Sequence, residues 1–288
     1  MDLSIIILNY KQKGLLKQCI KGIVTAQPHL EYEIIVVDND SGDDSLSLVK
    51  EMFKPEPELN NRQPQLPIIK QLVIPVIKTI QAQTNNGFAA GNNLGIEKSR
   101  GKYVMIINPD IAVVPGALEK MVNFMEANPN VGIIGPKLIN PDGSIQSSCR
   151  RFPGFFVPVY RRTISGKLPF AKKAIDHYLM KDFDHLTNKE VDWLFGACLL
   201  IRKSFLEKIG LLDERFFMYF EDLDLCRRFW HQGYKVVYFS QVEMVHYHQR
   251  LSAEKGGVLG IFSRGGRIHI ASGIKYFAKY LGVKLPNR

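Results

Sequence analysis

The chain has 288 residues, of which 45% are hydrophobic and 23% charged, ordinary proportions for a globular protein with one large α/β domain or two small ones. No run of 18 apolar residues occurs, so no membrane-spanning helix is predicted. The formal net charge is +10, and such an excess suits the phosphates of a nucleic acid, an anionic lipid or a diphosphate substrate.

The positive charge is concentrated in two segments. Residues 150–173 carry seven basic side chains and no carboxylate, and no acidic residue follows Glu254. An ordinary solvated surface would also explain both segments. The four cysteines are scattered without C-x-x-C spacing, which argues against a zinc site or a disulfide framework and fits a reducing, cytoplasmic compartment. The N-terminus lacks the basic segment of a signal peptide, so none is predicted.

The first 135 residues alternate between strand and helix patterns. Apolar runs predict buried strands at 3–10, 32–41 and 103–110, and a further strand is predicted at 76–81. Helical spacing follows each strand, and Pro75 places the third strand at a sheet edge. Four prolines among polar residues predict a surface loop at 55–67. Alternation of this kind predicts a parallel sheet with right-handed crossovers.

Each of these strands delivers polar residues to the same rim of the sheet. One such cluster would be explained by a turn, but four at the carboxyl ends of parallel strands predict a ligand site. Neither the G-x-G-x-x-G fingerprint nor a P-loop occurs, which argues against those two modes of phosphate binding. The clusters are Asn9-Tyr10, Asp38 to Asp40, Asn85 to Gly87 and Asn108 to Asp110.

The second half of the chain is less regular. A strand is predicted from Trp193 to Ile201, and a helix from about Glu221 to Gly233. A strand pair at 234–249 carries two histidines, His246 and His248. In the tail, an amphipathic helix is predicted with Lys275 and Lys279 off its apolar face, which consists of Ile270, Ile274, Phe277 and Leu281.

Seven segments resemble, in their order, the inverting glycosyltransferases of family 2 with the GT-A fold, and among these the rhamnosyltransferase-like members. The resemblance covers about residues 3–250, and its most specific part is the combination of NPD with F-x-x-x-x-ED-x-DLC-x-R. The segments are SIIILNY, VVDNDS, NNGFAAGNNLG, NPD, WLFGACLLIR, DERFFMYFEDLDLCRR and VHYH.

The resemblance implies a fold, a domain division and an activity. The fold is α/β of GT-A type, with a Rossmann-like, mostly parallel central sheet flanked by helices and with acceptor-side elements toward the C-terminus. One domain is expected at 1–250, divided into a nucleotide-sugar half (1–135) and an acceptor half (136–250), and a basic amphipathic tail at 251–288. The implied reaction moves a deoxyhexose, with L-rhamnose from dTDP-rhamnose as the leading donor, onto a cell-surface saccharide, lipid-linked acceptors included. A UDP-hexose donor stays open, because the motifs do not separate these sugars.

The resemblance places Asp110 at the last carboxylate of the D-x-D element, which binds a divalent cation on the donor diphosphate. Asn108 stands where the first Asp of that element often is. One carboxylate can suffice, because Mg²⁺ or Mn²⁺ also takes phosphate oxygens and water. His246 matches a histidine near the diphosphate and would favour Mn²⁺, although pairing within the strand would also explain it.

For the nucleotide, Asp38 resembles the residue that reads the base or ribose, and a carboxylate accepts hydrogen bonds from both. Gly87 allows close backbone approach to the donor, although a tight strand-to-helix turn would explain it as well. The nucleotide-sugar side is therefore expected to comprise Asn9, Tyr10, Asp38, Asn86, Gly87, Asn93 and Asn108.

On the acceptor side, the resemblance makes Asp222 the base that takes the proton of the attacking hydroxyl, with Glu221 holding that hydroxyl or orienting the loop. Carboxylates at a helix start also stabilise the helix dipole, which alone would explain both. The acceptor wall is expected to be Trp193, Gly196 and Ala197, although a core position would also suit the tryptophan.

A nucleic-acid-binding protein is the alternative from another class. The segment RRFPGFFVPVYRR at 150–162 interleaves aromatic and basic residues as such proteins do. This alternative leaves Asp38, Asp110 and Asp222 unexplained. The same basic segments predict peripheral binding to the anionic inner face of the cytoplasmic membrane.

Overall fold

The structure, a computed structural model, describes residues 1–53, 75–247 and 263–287. The predicted loop at 55–67, His248 and the first part of the tail lie outside these residues. The strands are β1 (Leu3–Asn9), β2 (Tyr32–Asp38), β3 (Val76–Gln81), β4 (Tyr103–Ile107), β5 (Ile111–Ala112), β6 (Val131–Ile139), β7 (Ile145–Gln146), β8 (Cys149–Arg150), β9 (Lys189–Glu190), β10 (Trp193–Leu194), β11 (Cys198–Arg202) and β12 (Lys235–His246). The helices are α1 (Lys13–Thr25), α2 (Ser45–Met52), α3 (Gly87–Glu97), α4 (Ala117–Ala127), α5 (Val157–Tyr160), α6 (Pro169–Tyr178), α7 (Lys203–Ile209), α8 (Glu221–His231) and α9 (Arg264–Lys279), with a 3₁₀ helix at Ile164–Lys167.

The central sheet has the strand order β3-β2-β1-β4-β11-β6-β12-β5, with β7 beside β6 and β9 beside β12. Strands β3, β2, β1 and β4 are parallel, and so are β6 and β12, whereas β11 runs antiparallel between β4 and β6. The predicted α/β fold with a mostly parallel sheet flanked by helices is confirmed. Within the described sheet β3 lies at an edge, as Pro75 indicated.

Every residue of β1, β2 and β4 is buried. Side chains alternate between the two faces of a strand, so Ile6 and Leu8 join one core and Ile5 and Ile7 join the other. Helices cover both faces, which is why these strands are apolar without interruption. Each such side chain contributes about 1.5–3 kcal/mol when removed from water, so the ends of these strands are firmly positioned.

Two predicted strands differ from the observed ones. The apolar run at 193–201 is broken: β10 pairs with β8 in a separate two-stranded sheet, and β11 joins the central sheet only at Cys198. Both parts are buried, so apolarity alone could not locate the break between them. The predicted strand pair at 234–249 is a single strand, β12, with a register shift between Phe239 and Glu243.

Helix α9 packs through a different face from the one predicted. Tyr276 and Ser272 are 1% and 2% exposed, whereas Ile274 is 66% exposed. The Ser272 hydroxyl donates to the Met218 carbonyl at 2.9 Å, in the loop before α8. In the described ranges no helix is both long enough and apolar enough to cross a bilayer.

Candidate active site

The carboxyl ends of β1, β2 and β4 lie side by side. The parallel register aligns Asn9 with Asp38 and Ile7 with Ile107, so the segment that follows β4 emerges at the same edge. Asn9 Nδ2 donates to Asp38 Oδ1 at 2.8 Å. The structure therefore brings the first two predicted polar clusters into direct contact.

Asp38 is 2% exposed and surrounded by donors. Its Oδ2 accepts from the Ser41 backbone N–H at 2.9 Å and from Gln81 Nε2 at 3.1 Å. Its Oδ1 accepts from the Ser41 hydroxyl as well as from Asn9. Burial by itself would raise the pKa of Asp38, but these hydrogen bonds outweigh it and hold the pKa below its ordinary value. Asp38 is therefore a stable anion that organises the loop after β2.

Two of the predicted nucleotide-side residues face solvent. Tyr10 is 40% exposed, and the Lys11 ammonium lies 5.4 Å from its ring centre. Asn86, which precedes α3, is exposed as well. Asn108 is partly buried, and its backbone N–H donates to the Ala197 carbonyl at 2.8 Å.

Gly87 and Asn93 serve the protein's own backbone. Gly87 has φ of +96°, and a Cβ there would lie 2.0 Å from the Phe217 carbonyl oxygen, so only glycine fits. Asn93 Nδ2 donates to the Leu212 carbonyl and to Glu214, and its Oδ1 accepts from the Leu212 N–H at 3.1 Å. The close approach expected of Gly87 toward a donor is made to Phe217, and Asn93 holds the loop that leads to α8.

Asp110 and His246 meet across two paired strands. The antiparallel pairing of β5 with β12 aligns His246 with Ile111, and His246 Nε2 lies 3.3 Å from Asp110 Oδ1. His246 Nδ1 lies 2.6 Å from Gln146 Oε1, whose own amide nitrogen donates to Asn140 Oδ1 at 3.2 Å. With Nδ1 as the donor to Gln146, the other ring nitrogen, Nε2, faces the Asp110 carboxylate.

This pair fits a divalent cation. The His246 ring nitrogen and the carboxylate oxygen that face each other at 3.3 Å leave room for either a proton or a metal ion to join them. Asp110 is 9% exposed, and its Oδ1 has no hydrogen-bond partner among the described residues. In the described part of the chain no group of three or more His, Cys, Asp or Glu side chains could hold a metal. The protein would thus supply two ligands, and phosphate oxygens and water the others, as is usual for Mg²⁺.

Asp222 lies in the first turn of α8. Tyr219 and Phe220 precede it with φ of 69° and 72°, a region that non-glycine residues rarely occupy, and they turn the chain abruptly into the helix. Asp222 Oδ2 accepts from the Gly196 N–H at 2.9 Å, and Oδ1 from the Leu223 N–H at 2.8 Å. Desolvation outweighs these hydrogen bonds and raises the pKa of Asp222 to about 6. A partly exposed carboxylate with such a pKa is suited to accept a proton near neutral pH.

Glu221 has a different environment from its neighbour. It is 5% exposed, and its Oε2 has no hydrogen-bond partner among the described residues. Burial, followed by the charge of Asp222, raises the pKa of Glu221 well above its ordinary value. Both carboxyl groups therefore hold a proton to a higher pH than free side chains do, which suits this pair to proton transfer.

The loop at 195–197 joins the two sides of the site. The Gly196 N–H binds Asp222, and the next residue, Ala197, accepts a hydrogen bond from Asn108. A Cβ at Gly196 would lie 3.4 Å from the Cβ of Asp222 and 3.4 Å from the ring of Phe88. The break between β10 and β11 thus places a small residue beside the Asp222 carboxylate, with its backbone N–H free of strand pairing and able to donate to that carboxylate.

Trp193 lies in the core. It is 8% exposed, and its Nε1 donates to the Arg151 carbonyl at 3.0 Å. Phe195 packs against it at 5.3 Å between ring centres and is partly exposed, with the Arg150 guanidinium 5.0 Å from its centre. Phe195 is thus the more accessible of the two rings, and the acceptor contact predicted for Trp193 stays a prediction.

A cluster of charges behind α8 was not anticipated as a unit. Asp224 is 0% exposed and accepts from Arg228 at 2.8 Å, from Lys279 at 2.5 Å and from the Tyr280 hydroxyl at 2.8 Å. Only the pairing with Arg228 follows from helical spacing. The other two partners are distant in sequence, and they fix α9 to the helix that carries Asp222.

Comparison with known proteins agrees with this geometry. The model of glycosyl transferase family 2 matches residues 4–210. An N-acetylglucosaminyl-diphospho-decaprenol L-rhamnosyltransferase of Mycobacterium tuberculosis is 31% identical over 145 residues, which are 50% of this chain and 47% of the relative. The chain thus matches about half the length of that relative. The rhamnosyltransferase WbbL of Escherichia coli K12 is 26% identical, with 67% of this chain and 70% of WbbL covered. The hexosyltransferase Agl10 of Haloferax volcanii is 27% identical, with 85% of this chain and 67% of Agl10 covered.

Solved structures share the fold. GalNAc-T7 with UDP, GalNAc and Mn²⁺ superposes with a TM-score of 0.61 at 14% identity, over 86% of this chain and 44% of that one. TarS of S. aureus gives 0.54 at 15% identity, over 86% of this chain and 37% of TarS. At such identities the likeness concerns the fold alone, and it confirms the predicted GT-A type.

Proposed function

Because the chain belongs to glycosyl transferase family 2, we propose that it is an inverting glycosyltransferase that moves L-rhamnose from dTDP-rhamnose onto a saccharide acceptor. The observation that carries the proposal is the state of Asp222, a single carboxylate held by the Gly196 N–H with its pKa raised to about 6. The rhamnosyl donor is supported by the names of two relatives. The nucleic-acid alternative explains none of this geometry.

In the proposed reaction Asp222 accepts the proton of the acceptor hydroxyl. The hydroxyl oxygen forms a bond to the anomeric carbon as the bond from that carbon to the diphosphate breaks on the opposite face, so the configuration inverts. Protonated Glu221 can donate a hydrogen bond to another acceptor oxygen. One base suffices for such a displacement and contributes roughly 10²- to 10⁴-fold to the rate.

Asp110 and His246 would hold the divalent cation, Mg²⁺ or Mn²⁺. When bound, the cation neutralises charge on the leaving diphosphate. Gln146 and Asn140 fix the ring orientation of His246, and Asp38, Asn9 and Tyr10 lie at the edge where the nucleoside would sit. The exposed ring of Tyr10 is available to stack on a base.

For the acceptor we propose a lipid-linked saccharide at the inner face of the cytoplasmic membrane. The support is the mycobacterial relative, an N-acetylglucosaminyl-diphospho-decaprenol L-rhamnosyltransferase by name. A UDP-hexose is the second candidate donor, favoured by the hexosyltransferase relative and by the UDP in two similar structures.

The donor can be tested by thermal shift with dTDP-rhamnose, dTDP, UDP-glucose, UDP-galactose and UDP-N-acetylglucosamine, each with Mn²⁺ and with EDTA. A ligand at about 100 times its Kd adds about 2.7 kcal/mol to stability, which moves the melting temperature by several degrees. We expect stabilisation by dTDP-rhamnose with Mn²⁺, and its loss in EDTA and in Asp110→Ala. Glu97→Ala, at an exposed carboxylate of α3, is the control.

Stabilisation by the UDP-sugars and not by dTDP-rhamnose would mean that the donor is a UDP-hexose. An unchanged shift in EDTA, together with full turnover, would contradict the role of the cation. If the transferred sugar retained the anomeric configuration of the donor by NMR, the inverting mechanism would be wrong.

A further inference from the structure

An exposed apolar surface lies on the segment that precedes and includes α5 and α6. We define the aromatic–basic face as the exposed apolar and basic side chains of residues 155–173 together with those of α9. Phe155, Phe156 and Phe170 are 62%, 58% and 61% exposed, and Ile164 is 81% exposed. Large side chains in such numbers rarely stay in water without a binding role.

The rings of this face form one contiguous set. Phe155 contacts Phe156 at 5.3 Å between centres and Phe277 of α9 at 5.2 Å. Phe156 continues to Tyr160 at 6.1 Å, and Tyr160 to Phe170 at 5.9 Å. The surface therefore spans α5, α6 and α9 and is not a scatter of single residues.

The charges among these rings have one sign. Residues 150–175 contain no carboxylate, and none occurs in α9. The exposed basic side chains of the face are Arg161, Lys167, Lys172, Lys173, Arg264, Arg267 and Lys275.

We propose that the aromatic–basic face docks on an anionic lipid bilayer, with its rings inserted at the headgroup level and its basic side chains on the lipid phosphates. Aromatic and aliphatic side chains ringed by Lys and Arg are the composition of segments that lie in a membrane interface. A second copy of the chain is disfavoured as the occupant, because a two-fold interface would place two basic faces against each other. A nucleic acid is disfavoured as the occupant as well, because the exposed aliphatic side chains of the face, Val159 and Ile164, have no ring on which a base could stack.

The face is adjacent to the catalytic carboxylate. The His269 ring of α9 lies 5.0 Å from Tyr219 and 5.2 Å from Phe220, the two residues that lead into Glu221 and Asp222. Burial, followed by the charges of Arg162 and Arg161, lowers the pKa of His269 to about 4, and the influence of these two arginines places the end of α5 beside α9. A docked bilayer would therefore lie on the acceptor side of the site, and this part of the inference rests on the proposed lipid-linked acceptor.

Vesicle co-sedimentation tests the docking without any sugar. The full chain is mixed with phosphatidylcholine vesicles and with vesicles that also contain phosphatidylglycerol. We expect binding to the anionic vesicles, and a loss on the order of tenfold for each ring in Phe155→Ser/Phe156→Ser. Leu186→Ser is the matched control, because Leu186 is 63% exposed but lies outside the face.

A second pair of variants tests the charge. Lys167→Gln/Lys172→Gln should weaken binding by roughly fivefold for each charge removed, with a smaller salt dependence. Lys17→Gln/Lys21→Gln removes the same charge from exposed positions of α1 and should leave binding unchanged.

Three results would overturn the inference. The first is an equal loss of vesicle binding in the face variants and in their controls. The second is an oligomer in solution that dissociates in Phe155→Ser/Phe156→Ser. The third is binding to single-stranded nucleic acid, through the same residues, that is tighter than binding to anionic vesicles. Sugar transfer to an acceptor that carries no lipid separates membrane docking from the proposed function, because the variants of the aromatic–basic face should retain this transfer. Failure of that transfer in the unaltered chain would count against the function and not against the docking.

Discussion

Asp38 and Asp222 are two carboxylates enclosed by the same fold, and their pKa values move in opposite directions. Desolvation acts on both. Asp38 accepts from Asn9, Gln81 and twice from Ser41, so its charge is stabilised. Asp222 has backbone donors only, from Gly196 and Leu223, and they do not offset its desolvation.

Under the proposed function, this difference separates a region that binds the donor from a region that reacts. A carboxylate that must recognise a nucleoside benefits from being always ionised and firmly held. A carboxylate that must take and release a proton needs a pKa close to the working pH. The number of donors around each group distinguishes the two regions better than burial does.

The largest expected effect comes from removing the proton acceptor. Asp222→Asn retains the shape of the side chain but loses basicity, and its single amide oxygen can accept from only one of the Gly196 and Leu223 N–H groups, so kcat should fall roughly 10²- to 10⁴-fold. Donor affinity should change little, because Asp222 lies on the acceptor side. Steady-state kinetics and isothermal titration with the donor nucleotide measure the two quantities.

Glu97→Gln provides the same chemical change, carboxylate to amide, at an exposed position and should leave kcat and donor affinity unchanged. Asp224 is unsuitable as a control, because it is buried with three partners. A near-normal kcat for Asp222→Asn would assign the base to another group, and loss of donor binding would place Asp222 on the nucleotide side.

A third region contains Asp110 and His246, the proposed ligands of the cation. A variant of Gln146, which contacts His246, can test it. Gln146→Leu removes the acceptor that fixes the protonated nitrogen of His246. Loss of such a partner lowers metal affinity by roughly 10- to 100-fold. Turnover against Mn²⁺ concentration should show the change in half-saturation, with kcat restored at high Mn²⁺. If the half-saturation concentration of Mn²⁺ were the same in this variant as in the parent, His246 would not be a ligand of the cation.

The pH profile sharpens the comparison further. Asp222 must be deprotonated to act, so kcat should fall about tenfold per pH unit below its pKa of about 6 and level off above it. Asp38 stays ionised throughout this range, because its pKa is lowered. Donor affinity should therefore stay flat between pH 5 and pH 8, apart from the titration of the nucleotide itself. If donor affinity and kcat declined together, the two carboxylates would not be functionally distinct.

The smallest effect is expected at Ser41. Ser41→Ala removes one donor from Asp38 and leaves buried Asn9 with one partner fewer, a loss of about 1–3 kcal/mol in the free energy of unfolding. Because the folded-state pKa of Asp38 is lowered, the stability it contributes is present above its unfolded value of 3.8 and lost in acid. Urea unfolding should therefore show the variant and the parent converging at low pH, while kcat is retained. A gap in unfolding free energy that does not narrow in acid would mean that Ser41 does not act through the Asp38 charge.

The sequence predicted the first half of the fold well, because buried parallel strands are continuous apolar runs that end in polar residues. It could not predict the break at 195–197, since β10 and β11 are equally buried. The contact of Asp110 with His246 depends on the antiparallel register of β5 and β12, which no local pattern encodes.

Roles were harder to predict than positions. The expected position of Gly87 and Asn93 near the donor stays a prediction, and the contacts that the structure shows for them are with the backbone at Phe217 and Leu212. A glycine or asparagine has the same pattern whether it faces a ligand or another loop. Phe195, the accessible ring next to Trp193, could have been noticed from its place beside Gly196.

The pairing of Lys279 with Asp224 has a consequence for the order in which the protein is made. The two residues are 55 positions apart, so a ribosome completes the helix that carries Asp222 well before the partner of its buried charge is synthesised. Until then the buried Asp224 carboxylate has Arg228 of its own helix as a partner but lacks the Lys279 ammonium and the Tyr280 hydroxyl. Helix α8 therefore reaches its final electrostatic state only when α9 emerges and docks, and nascent chains that stop before Lys279 should be more readily degraded by proteases than the full chain.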